Sequence, residues 1–152
     1  MEEERNRELA RRWFEDLWSK ADLSVADEII DPSYAPDWIQ IDATGPAQVK
    51  HELKYFRSVF PDLVYDMVDV VTQSNRIWVR YKGTGTQHGA AWGFAPTGRT
   101  VEFEGVTILY VSQDGKITDR WGAFSMYDIL VDLGLVPRVW ELSAHIGHGG
   151  DS

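Results

Sequence analysis

The chain has 152 residues, with 24 acidic against 15 basic side chains, a formal charge of −9 and no cysteine. That length suits one domain with a single buried core, and the missing cysteines exclude disulfides and thiolate metal sites. The charge argues against phosphate backbones and anionic membrane surfaces, so neither nucleic acid nor membrane is an expected partner.

Leu9, Trp13, Phe14 and Leu17 recur at helical spacing among charged residues, which predicts a helix over 3–20 with one buried face. Ser24-Val25-Ala26-Asp27 carries a capping signature for a second helix that ends near Ile30, before Asp31-Pro32. Residues 34–41 are mixed. Thr44-Gly45-Pro46 then opens a third helix with apolar positions Val49, Leu53, Phe56 and Phe60, stopped by Pro61-Asp62.

From Leu63 the period changes to two, predicting strands over 63–72, 77–86, 100–112 and 116–124. Gln73-Ser74-Asn75 and Gln113-Asp114-Gly115 suit antiparallel hairpins. The longer link over 87–98 contains Trp92, Phe94 and the turn Pro96-Thr97-Gly98, a loop with apolar side chains to hide against a cavity. Ser125-Met126-Tyr127-Asp128 repeats the capping signature before a last helix that Gly134 ends. The domain is expected over 1–142, and the polar, glycine-rich stretch 143–152 reads as a disordered tail.

Helices first and antiparallel strands afterwards describe an α+β domain with a bent sheet wrapped on the N-terminal helices. Seven Trp, six Tyr and six Phe supply apolar area for a core and for a pocket. The longest apolar run, 106–111, is far below the roughly 20 residues of a membrane-spanning helix. The acidic start lacks the basic and apolar pattern of an export signal, so a cytoplasmic protein is expected.

Several motifs in this order resemble the SnoaL-like polyketide cyclases, of the nuclear-transport-factor-2-like cone fold. The carriers are Gly83-Thr84-Gly85-Thr86, Gly89, Gly93, Pro96-Thr97-Gly98-Arg99, Asp114-Gly115-Lys116-Ile117, Trp121 and Leu133-Gly134. Upstream matches are Leu23 to Asp27, Asp31-Pro32-Ser33-Tyr34, Gly45-Pro46 and Phe60-Pro61-Asp62-Leu63. The resemblance implies a cone with a deep apolar pocket, often dimeric through its sheet. It also implies an aspartate on the last strand and a histidine on the strand before it, which move protons during an aldol closure. This chain has Gly122 and Thr107 at those positions, and Gln87 and Ser125 where many relatives carry histidine and aspartate. Neither Gly122 nor Thr107 serves as a base near neutral pH.

Other polar residues remain as candidates. The register implied by the resemblance turns Phe103, Gly105, Thr107 and Leu109 inward on one strand, and Arg120, Gly122 and Phe124 inward on the last. Glu102 and Glu104 then face outward. Arg120 can hold a carboxylate, enolate or carbonyl oxygen, or instead form an internal salt bridge. His88 is suited to proton transfer near neutral pH, with a surface loop histidine as the plainer alternative. Asp37 beside Trp38 is a candidate base by location, although a turn aspartate is the commoner use of that residue. Phe14, Trp18, Tyr34, Trp38, Tyr55, Trp92 and Phe94, with Gln87, Phe103, Thr107, Gly122 and Phe124, are the expected substrate-binding set. Ser125 reads as a helix cap without a triad, and His145 with His148 is too weak a pair to assign a metal.

The expected function is a cofactor-independent cyclase or isomerase that folds a small apolar, polyketide-like substrate in an aromatic pocket, closing a ring by cycloaddition or pyran formation. The alternatives are an epoxide-hydrolase-like or ketosteroid-isomerase-like enzyme, which needs inward carboxylates, and a non-catalytic binding module, which a narrow cone would favour. A homodimer is expected.

Overall fold

The computed structural model describes residues 1–146. Helix α1, Glu2–Arg11, continues directly into a π-helical segment, Arg12–Ser19. The wider turn lets Trp13, Phe14, Leu17 and Trp18 all fall on one buried face, with Ser19 Oγ donating to the Phe14 carbonyl at 2.8 Å. Helix α2 spans Ser24–Ile29. The expected Ser24 cap is replaced by Asp22, whose carboxylate accepts from the Ser24 amide at 3.1 Å. Helix α3 spans Pro46–Val59, with Pro46 in its first turn and Gly45 before it at φ 65°.

Strands β1 Val64–Gln73, β2 Arg76–Thr86, β3 Thr100–Val111 and β4 Ile117–Phe124 form an antiparallel sheet in chain order. These bounds follow the predicted alternation closely. Across the sheet Thr107 pairs with Gly122 and Leu109 with Arg120, so the inward sets of β3 and β4 share one face. That curved face packs on α1, the π-helical segment and α3, with Leu17, Val49, Ile77, Leu109 and Ile117 among the fully buried side chains. The result is an α+β cone of the nuclear-transport-factor-2-like type.

Helix α4, Met126–Asp132, closes in the pattern that Gly134 permits. Gly134 has φ 75° and donates to Val131, and Leu135 donates to Leu130, both at 2.9 Å. Ser125 forms no side-chain cap. Its hydroxyl instead accepts from the Glu104 amide at 3.2 Å, tying the start of α4 to β3. Beyond it, helix α5 spans Val139–Ile146, with Val139 and Trp140 exposed. The sequence pattern gave no signal for α5, whose last residues fall within the expected tail. The rest of that tail, and the His145 and His148 side chains, lie outside the described residues. Among the described residues no helix is long and apolar enough to cross a membrane.

Candidate active site

The open end of the cone holds a cavity of about 80 Å3. Its floor is the curved sheet: Tyr65 from β1, Tyr81 from β2, Phe103 and Thr107 from β3, and Arg120, Gly122, Ala123 and Phe124 from β4. Its roof is Trp13, Phe14 and Trp18 of the π-helical segment, with Glu52 and Phe56 of α3. Phe60, Ile129 of α4 and Trp38 of the segment before α3 complete it. Two glycines give the floor its depth. A Cβ at Gly83 would enter the Phe103 ring and one at Gly105 would overlap the Tyr81 hydroxyl, so these rings lie flat over their cross-strand neighbours.

One ion pair is set into this apolar wall. Nη2 of Arg120 donates to both Glu52 carboxylate oxygens, at 2.8 and 2.9 Å, with both side chains largely buried. The guanidinium also lies 5.2 Å from the ring centres of Trp13 and of Trp38, within cation–π range of both. Trp38 Nε1 donates to the Arg120 carbonyl at 2.6 Å. Burial acts to lower the Arg120 pKa, but the Glu52 carboxylate more than offsets it, and the guanidinium is held in its charged form. Burial also pushes the Tyr81 hydroxyl up to about 12, and raises Tyr65 and Tyr34 in the same direction. Among the described residues that line the cavity, two buried donors have no partner: Arg120 Nε and Trp18 Nε1.

Thr107 and Gly122 lie side by side on the cavity wall. A Cβ at Gly122 would stand 3.7 Å from Thr107 Oγ1 and 3.9 Å from the Trp38 ring, so the wall is open there and carries no carboxylate.

Eight expected residues line the cavity: Arg120, Phe14, Trp18, Trp38, Phe103, Thr107, Gly122 and Phe124. Seven stand elsewhere. His88 is exposed, with its amide bonded to the Val59 carbonyl at 3.0 Å. Asp37 is exposed in a turn. Tyr34 is fully buried outside the cavity, against the core. Gln87 is also fully buried, but as the clasp of the 87–98 loop: its Oε1 accepts from Thr97 Oγ1 at 2.8 Å and from the Thr97 amide at 3.2 Å. With the loop held by Gln87, its aromatics Trp92 and Phe94 stay on the surface, as does Tyr55, whose hydroxyl accepts from the Trp92 amide. Glu104 faces outward and pairs with Arg80 at 3.1 Å.

The main residue that the sequence reading missed is Glu52. It was detectable, because it lies three residues after Val49 and four before Phe56, on the same stripe of α3. Tyr81 alternates with Val79 and Gly83 on the inward face of β2, and Trp13 was read as core alone. Among the described residues no group of three or more His, Cys, Asp or Glu is arranged to hold a metal.

A search of curated proteins finds no match. Solved structures share the architecture. TsrD from Streptomyces laurentii superposes with a TM-score of 0.82 at 18% identity, covering 90% of this chain and 99% of that one. AclR from Streptomyces galilaeus gives 0.78 at 24% identity, covering 96% and 95%. A SnoaL-like polyketide cyclase from Agrobacterium tumefaciens gives 0.71 at 17% identity, covering 85% and 98%. At these identities the likeness establishes the fold. The family model for SnoaL-like polyketide cyclases matches residues 8–133, from the first helix to the end of α4, and the chain therefore belongs to that family.

Proposed function

We propose that this protein is a cofactor-independent cyclase or isomerase that folds a small, apolar, polyketide-like substrate against its aromatic walls. The observation that carries this reading is the Arg120–Glu52 pair set among Trp13, Trp38 and Phe56 in a cavity otherwise lined mostly by aromatic and apolar groups. An ionised pair is costly to bury, and such pairs concentrate where charge is used. Arg120 polarises a carbonyl oxygen while the rings hold the reacting atoms near one another. Positioning of this kind supplies roughly 7–11 kcal/mol of a barrier in favourable cases. Gly122 and Thr107 leave the wall without the proton-transferring pair of the aldol cyclases, so a cycloaddition or pyran closure fits better than an aldol step.

A second reading is a double-bond isomerase or epoxide hydrolase of the same fold. It needs an inward carboxylate, and although Asp37, Asp66 and Glu104 are exposed, Glu52 stands beside Arg120. The cavity volume bears on a third reading, a non-catalytic module, since small-molecule sites are usually about 300–1,000 Å3. The half-exposed rings of Trp38 and Phe124 border the cavity, and displacing them would enlarge it. A homodimer through the outer sheet face accompanies the proposal. On that face Trp78 and Trp121, each about half exposed, flank Ile108 across the strands.

Single-turnover assays on linear polyketide-like polyenes and hydroxy-enones test the reading. Arg120→Ala and Trp38→Ala should each slow ring closure at least tenfold. Full activity in both variants would overturn the site assignment, and loss of activity with a new pH dependence in Glu52→Gln would favour the second reading.

A further inference from the structure

Resting on the reading of this cavity as a small-molecule site, we propose that Glu52 is its charge-selecting residue: the cavity accepts a neutral ligand with a hydrogen-bond-accepting oxygen, a ketone or ester carbonyl, and rejects carboxylates. Three observations converge. Glu52 takes two short contacts from Nη2 of Arg120, so the one positive charge that lines the cavity among the described residues is already cancelled. Of the buried groups without partners among the described residues, the two that belong to the cavity lining are donors, Arg120 Nε and Trp18 Nε1, on side chains that are more than nine-tenths buried. The remaining wall is mostly aromatic, and its other polar groups, the hydroxyls of Thr107, Tyr65 and Tyr81, are neutral.

These conditions separate two ligands of the same shape. A carbonyl oxygen satisfies an orphaned donor and brings no charge into the apolar site, which recovers part of the cost of burying that donor. A carboxylate of the same shape finds the guanidinium occupied and meets the Glu52 carboxylate across it. It also gives up its hydration on entering the cavity. Without Glu52 the same cavity would present an uncancelled guanidinium, which is an anion site. The selectivity thus resides in one residue of α3, while Arg120 contributes the donor in either case.

The test uses the full chain and three naphthalenes of matched shape: 2-acetylnaphthalene, 2-naphthoate and 2-ethylnaphthalene, titrated at pH 7 by calorimetry. Wild-type protein should bind the ketone at least tenfold more tightly than the carboxylate and measurably more tightly than the hydrocarbon. Glu52→Gln should gain at least tenfold for 2-naphthoate and change by less than threefold for the ketone. Carboxylate binding within threefold of the ketone in the wild type, or no saturable ketone binding, would overturn the proposal. So would unchanged naphthoate affinity in a folded Glu52→Gln. The wild-type comparison needs no variant, so a poorly folding Glu52→Gln does not remove the test. Absence of ring closure in the activity assay would leave this affinity order intact, and a reversed order would leave measured turnover intact, so the two failures are distinct.

Discussion

Arg120 and Glu52 are each half of a unit that neither can form alone. Each gives up hydration to reach the cavity wall and recovers it from the other and from the flanking rings of Trp13 and Trp38. Removing one partner strands a buried charge or leaves a buried donor unmet, whereas removing both relieves the problem. Arg120→Met and Glu52→Gln should therefore each cost about 3 kcal/mol of stability in urea titrations, and the double variant should cost clearly less than their sum. Additive losses would show that the two act independently. Arg120 was legible in the sequence because the register of the last strand turns it inward together with Gly122 and Phe124. Its partner was harder to find, since 68 places separate Glu52 and Arg120 on the chain and only folding brings α3 over β4; the apolar stripe around Glu52 was the one local signal.

At the level of elements, the strands and helices could be placed from periodicity, and the side chains that depart from regular geometry could not. The helical spacing of 9, 13, 14 and 17 predicts a helix, yet nothing in it shows that the turn widens after Arg11 to bring Trp13, Phe14 and Trp18 together onto the cavity. The 87–98 loop was misread for a related reason. Its aromatics suggested a cavity wall, but Gln87 spends its side chain on the loop's own backbone and Gly89 seats the loop against the end of α3. The glycines of the cone should separate by what surrounds them. A Cβ at Gly89 would overlap the Ser58 carbonyl, and one at Gly105 would overlap the Tyr81 hydroxyl, whereas Gly122 has room and a φ outside the left-handed region. Gly122→Ala should be neutral or stabilising by about 0.5 kcal/mol. Gly105→Ala should cost about 1–3 kcal/mol, and Gly89→Ala at least as much. Thermal melts of the three variants check that order.

Across the whole molecule, the acidic surface and the aromatic interior respond to opposite ends of the pH scale. Tyr34, Tyr65 and Tyr81 are held neutral by burial, Tyr81 up to about 12 against an ordinary value of 10.0. The folded chain therefore keeps these protons where the unfolded chain releases them. Stability from this source is complete below about pH 10 and declines as pH rises toward 12 and beyond. Alkaline titration should show phenolate absorbance from these three residues only as the protein unfolds, and their ionisation without loss of structure would contradict their burial. Trp38 bears on a different property of the whole. It stands at the mouth, half exposed, bonded through its indole N–H to the Arg120 carbonyl and lying against the Arg120 guanidinium. A guest larger than the 80 Å3 behind it should enter only if that ring swings aside, and Trp38→Ala should then speed loading. Loading is then paced by how often the ring opens, not by how often solute and protein collide, and a captured guest leaves on the same slow clock.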